Sequence, residues 1–108
     1  MANTDRIDSI LRKELSIIIS QEINDKKLGF PTVTDVRTTP DLSVSRVYVS
    51  FLGKNYMKRD GLEALRRAKG FIKSTLAKRV KMRKIPDLTF IVDDTLDNAE
   101  KIEEILKK

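Results

Sequence analysis

Apolar residues early in the chain recur with a helical period. Ile7, Ile10, Leu11, Leu15, Ile18 and Ile23 fall on one face, and Asn3 or Thr4 is suited to cap the start. The segment NDKKLG, Asn24 to Gly29, ends that helix. The period then changes from helical to alternating. Pro31 opens TVTDVRTT, and after the turn signal PDLS the run VSRVYVSFL places Val47, Val49 and Phe51 on one face with Ser45. Two such runs around Pro40 and Asp41 predict an antiparallel hairpin.

Gly53 to Arg59 reads as a polar loop, after which Leu62, Leu65, Ile72, Leu76 and Val80 restore the helical period. Lys69 falls in the middle of that apolar stripe on a straight helix, where an unpaired ammonium would be costly to bury. Gly70 is the expected break, re-phasing the second half so that Ile72, Leu76 and Val80 face the sheet while Lys69 moves to an exposed corner. Pro86 marks a second break, and DLTFIVDD predicts a third strand with Leu88, Phe90 and Val92 on one side. TLDNAEKIEEILKK predicts a last helix, capped by Thr95 or Asp97, with a stripe of Leu96, Ala99, Ile102, Ile105 and Leu106. The two helical segments between strands two and three make a crossover long enough for those strands to run parallel. The expected fold is therefore α+β, a mixed three-stranded sheet with helices packed on it, in a single domain over residues 1–108.

Charge adds a partner class. The formal net charge is +6, yet RRAKGFIKSTLAKRVKMRK, Arg66 to Lys84, holds nine basic residues and no acid, and the rest of the chain holds 13 basic against 16 acidic residues. A local cationic patch on a near-neutral body points to a polyanion: nucleic acid, an anionic membrane surface or an acidic protein. The chain has no Cys, hence neither disulfides nor thiolate metal sites, and no His. The usual nucleophile and base pairs are therefore missing, and no glycine-rich phosphate loop occurs. DDTLD, Asp93 to Asp97, offers carboxylates for Mg²⁺, but its position at the start of a predicted helix fits the helix dipole better. No apolar run is long enough to span a bilayer and no secretory signal is present, so a soluble, cytoplasmic protein without cofactor or metal is expected.

Gly70 has two readings. It is a kink required by packing, or it opens a corner whose backbone N–H groups, beside Arg66, Arg67, Lys69 and Lys73, suit a phosphate. The strand pair TVTDVRTTPDLSVSRVYVS, the run LRRAKGFIKSTLAKRVKMRKIPDLTFIVDD, the IISQEI of the first helix and the KKLGF after it closely resemble the bacterial ribosome-binding factor A family over nearly the whole chain. That resemblance implies a type II K-homology fold and a late role in maturing the small (30S) ribosomal subunit and its 16S rRNA, especially in the cold. It further implies preference for free small subunits and a functional link to ribosome-maturation GTPases. Ala68, Lys69 and Gly70 match the family's Ala-x-Gly kink. K-homology domains that clamp single strands carry GXXG there; this chain has RAKG, which lacks the first glycine and favours recognition of folded rRNA by shape and phosphate contacts.

The candidate RNA-binding residues are Arg66, Arg67, Lys69, Gly70, Lys73, Lys78, Arg79, Lys81, Arg83 and Lys84. Lys78 and Lys81 are expected to point away from the apolar stripe of the second central helix, with Lys73, Arg79 and Arg83 flanking it. No aromatic alternates with these cations, so base stacking is not expected to dominate. The expected function is a non-catalytic, monomeric assembly factor that binds the small subunit. The rival is a generic nucleic-acid-binding or anionic-surface module using the same basic stretch.

Overall fold

In the computed structural model, which describes residues 2–93, the order of elements is α1 (Ala2–Gln21), a 3-10 turn (Lys26–Leu28), β1 (Pro31–Thr38), β2 (Val44–Phe51), α2 (Asn55–Arg67), α3 (Lys69–Arg79) and β3 (Asp87–Val92). The sheet order is β1-β2-β3, with β1 antiparallel and β3 parallel to β2. Alternation along the strands decides which face is covered. Ser45, Val47, Val49 and Phe51 of β2 and Leu88 and Phe90 of β3 are buried, whereas Arg46 and Thr89 between them are exposed. The helices lie over the buried face. Their contributions are Leu11, Leu15, Ile18 and Ile19 from α1, Ala64 and Leu65 from α2, and Ile72 and Leu76 from α3, all in one hydrophobic cluster with the strands.

Several local boundaries depart from the sequence reading. α1 begins at Ala2, so Asn3 and Thr4 lie inside it rather than capping it. α2 begins at Asn55, within the stretch expected to be loop. The predicted helix after Thr95 lies outside the described residues. β1 carries a bulge between Val33 and Asp35, where Thr34 donates its hydroxyl to Asp93 at 2.6 Å and so ties the start of β1 to the end of β3. Where β1 ends, Asp8 of α1 accepts the Thr38 N–H at 2.9 Å, and the Thr38 and Ser45 hydroxyls pair at 2.8 Å inside the core.

Three glycines are required by geometry, Gly53 with φ 123° among them. Gly29, which closes the 3-10 turn, has φ 67°, a region that side chains disfavour. Gly61 of α2 sits so close to the buried Phe51 ring that a Cβ there would collide with it. The helix break itself falls at Ala68, not at Gly70. Ala68 ends α2 and precedes α3 with φ −85° and ψ 1°, while Gly70 lies in the first turn of α3 with a negative φ and nothing within 4 Å of where a Cβ would stand. The kink thus lies within the Ala68, Lys69, Gly70 motif, but packing among the described residues does not account for its glycine.

Candidate nucleic-acid interface

One basic run in the sequence becomes two clusters in space. From Lys69 to Arg79 α3 rises about 15 Å at 1.5 Å per residue, and cations gather at its two ends. At the first end, Arg66 and Lys69 line a recess of about 310 Å³ with Leu88, Thr89 and Phe90. β3 contributes to this wall and has a sheet partner on one side only, among the described residues, so its other edge keeps unpaired N–H and C=O groups. Ala68 supplies no side-chain cap to α3, and Gly70 is exposed beside it. The first turn of α3 therefore presents backbone and cations together, an arrangement suited to phosphate.

The electrostatics of this end are partly settled by internal pairs. Lys69 does not escape to an open corner as expected. Its Nζ lies 3.5 Å from Asp87, and that of Lys73 lies 3.7 Å from the same carboxylate oxygen. One carboxylate thus serves two ammoniums and leaves a net positive charge at the start of β3. Arg67 donates to Asp25 at 3.0 Å. The Lys27 N–H, with Arg67 second, holds the Asp25 carboxyl below its ordinary value. Arg66 is exposed and has no ion pair among the described residues.

The other end differs from the expectation in kind. α3 stops at Arg79 and Val80 is extended, so Lys81, Arg83 and Lys84 do not lie on a helical face. They lie on the irregular segment that leads into β3. Arg79 is drawn inward to Glu14 of α1. Lys78 remains exposed on α3, and Lys78, Lys81, Arg83 and Lys84 have no ion pair among the described residues. Arg79, Lys81, Arg83 and Lys84 surround a second cleft, of about 620 Å³, whose floor is apolar.

Sequence reasoning also missed exposed aromatics. Phe71, which lies between two of the candidate cations in sequence, is 52% exposed and lines a shallow recess with Arg67, Ala68 and Ile23. Its position outside the Leu65, Ile72, Leu76 stripe was the available signal. Its exposed ring beside Arg67 is an aromatic face of the kind on which a base can stack. Among the described residues no group of three or more His, Cys, Asp or Glu could hold a metal, and no helix is long and apolar enough to cross a membrane.

A mixed sheet covered on one face by α1 and by a kinked helix pair, with cations beside the lone-edged β3, defines an α+β domain of the type II K-homology kind. Comparison with known proteins gives the family. The sequence profile of Ribosome-binding factor A matches residues 3–106. The chain is 43% identical over 103 residues to ribosome-binding factor A of Macrococcus caseolyticus, covering 95% of this chain and 90% of that one. It superposes on the crystal structure of ribosome-binding factor A from Thermus thermophilus with a TM-score of 0.73 at 34% identity, over 82% of this chain and 94% of that chain. A Thermus thermophilus homology model fitted into a cryo-EM map of its 30S complex gives 0.68 at 35% identity, over 80% and 90%. The chain belongs to the ribosome-binding factor A family.

Proposed function

We propose that this protein is a non-catalytic assembly factor that binds the free small ribosomal subunit and assists late maturation of its 16S rRNA, including in the cold. It acts in the cytoplasm as a monomer, with a functional link to maturation GTPases. The 30S complex of the Thermus thermophilus relative supports the choice of subunit. The observation that carries the reading is the corner made by Arg66, Lys69 and Gly70 beside the open edge of β3. Glycine in a helix costs roughly 0.5–1 kcal/mol against alanine, and nothing among the described residues requires it at position 70. Close approach of a phosphate backbone would account for it.

The mechanism is differential affinity. A binder that prefers one rRNA arrangement shifts the population toward it by that preference and no further. The corner supplies short contacts through backbone and Arg66, Phe71 supplies a stacking face, and the cations from Lys78 to Lys84 add longer-range attraction. No sequence-reading edge is needed for such a task.

The test is charge reversal at the corner. Arg66→Glu with Lys69→Glu changes two side chains outside the core, so the circular dichroism spectrum should stay native. Affinity for purified small subunits should fall at least tenfold. Undiminished binding by the folded variant would remove the corner from the mechanism.

A further inference from the structure

The cleft at the far end of α3 has chemistry that phosphate binding does not explain. Ile7 and Ile10 of α1, Leu42 of the hairpin turn, Val80 and Met82 form its apolar lining, and the cations Arg6, Arg79, Lys81, Arg83 and Lys84 outnumber the two acids there, Asp41 and Glu14, the latter paired with Arg79. Ile10 is 44% exposed. A surface built for an RNA backbone needs cations and donors, whereas a floor of Ile, Leu and Met rewards an apolar occupant.

Leu42 is the second observation. The Thr39 carbonyl accepts the Leu42 N–H at 2.8 Å, making a turn with Pro40 and Asp41 at its centre, and Leu42 follows in the left-handed region at φ 63°. Hairpins of this build ordinarily place glycine or asparagine there. Leu42 is the only non-glycine residue with a positive φ among the described residues. A strained, half-buried leucine at the lip of a cleft is a residue kept for what it touches.

We infer that this cleft docks an acidic amphipathic helix of a partner protein, its apolar side on Ile10, Leu42 and Met82 and its carboxylates on Lys81, Arg83 and Lys84. Charge complementarity selects the acidic partner, and the helix-in-groove mode fits an apolar floor with a charged rim. A bilayer is disfavoured because the apolar residues line a concavity rather than a protruding edge. A small ligand is disfavoured because the cations sit on exposed, long side chains instead of converging from fixed, buried positions. The chain's own 15 residues after Asp93 are long enough to reach the cleft, and peptide binding gained only when they are removed would assign it to them instead. A second copy carries the same +6 net charge, which disfavours approach of one basic surface to another.

The experiment uses the full chain and no ribosomes, so its outcome is separate from that of subunit binding. A labelled 14-residue peptide with leucines at helical spacing and glutamates elsewhere is titrated by fluorescence anisotropy. Beside it run an isomer of the same composition with its leucines scattered and an oligouridylate of twelve nucleotides. The ordered peptide should bind at least tenfold more tightly than the isomer. Leu42→Asn, which suits the turn but removes the apolar tip, should abolish that preference, as should Ile10→Ser on a different element. Arg66→Glu should leave it unchanged. Equal binding of the two peptides, or a preference indifferent to both cleft variants, would overturn the proposal. So would oligouridylate binding that the cleft variants weaken, which would make the cleft an RNA site. Concentration-dependent self-association lost in Leu42→Asn would assign it to a second copy instead.

Discussion

An alanine at position 61 would drive its Cβ into the ring of Phe51, itself 4% exposed and held by the core. Overpacking of this kind costs about 1–3 kcal/mol, and Gly61→Ala should lower stability by that order in denaturant titration. The same change at Gly70 meets open space at a helical φ. Gly70→Ala should therefore raise stability by about 0.5–1 kcal/mol while weakening small-subunit binding, because its methyl group stands where the rRNA would approach. Gain of stability without loss of binding would show that the glycine serves no partner. A third residue gives a pH signature. The Thr39 hydroxyl, then the Ser43 hydroxyl and N–H, hold Asp41 down to about 2 from an ordinary 3.8. Its folded value is depressed, so its contribution is complete above about pH 4 and is lost as pH falls toward 2. Asp41→Asn should flatten that part of the stability profile between pH 5 and 2, and an unchanged slope would assign the acid sensitivity elsewhere.

At the scale of elements, the kink at Ala68 and the end of α3 at Arg79 turn a continuous basic run into two surfaces. Lys78, Lys81 and Lys84 are all exposed, so replacing the three with Glu should leave folding intact and strongly reduce co-sedimentation with small subunits. Each lysine–phosphate interaction removed should also flatten the dependence of log affinity on log salt by about 0.7–0.9. A triple variant with native binding and native salt slope would confine rRNA binding to the Arg66 end.

For the whole molecule, what was legible in the sequence follows from periodicity. Alternation at Ser45, Val47, Val49 and Phe51 placed β2 and its buried face, and the long crossover predicted β3 parallel to it. The helix break was legible to within two residues. Of the two readings of its glycine, the kink required by packing does not hold among the described residues, because the need for a glycine depends on what approaches it in space. Gly61 is pinned by Phe51 from another element, and Gly70 by nothing among the described residues. Charge pairing was illegible for the same reason. Asp25 reaches Arg67, Glu14 reaches Arg79 and Asp87 reaches Lys69 and Lys73 across elements far apart in sequence. The apolar cleft behind Lys81, Arg83 and Lys84 joins α1, the hairpin turn and the segment after α3, so no single stretch announces it.

The central claim is selective binding to the free small subunit. Its most direct test is co-sedimentation of the full chain with purified small subunits, large subunits and complete ribosomes across a salt series. Binding to small subunits that persists at moderate salt, with little to the other two, is the predicted result. Weak and equal binding to all three, vanishing as salt rises, would contradict the account and leave a cationic surface without a specific ribosomal target.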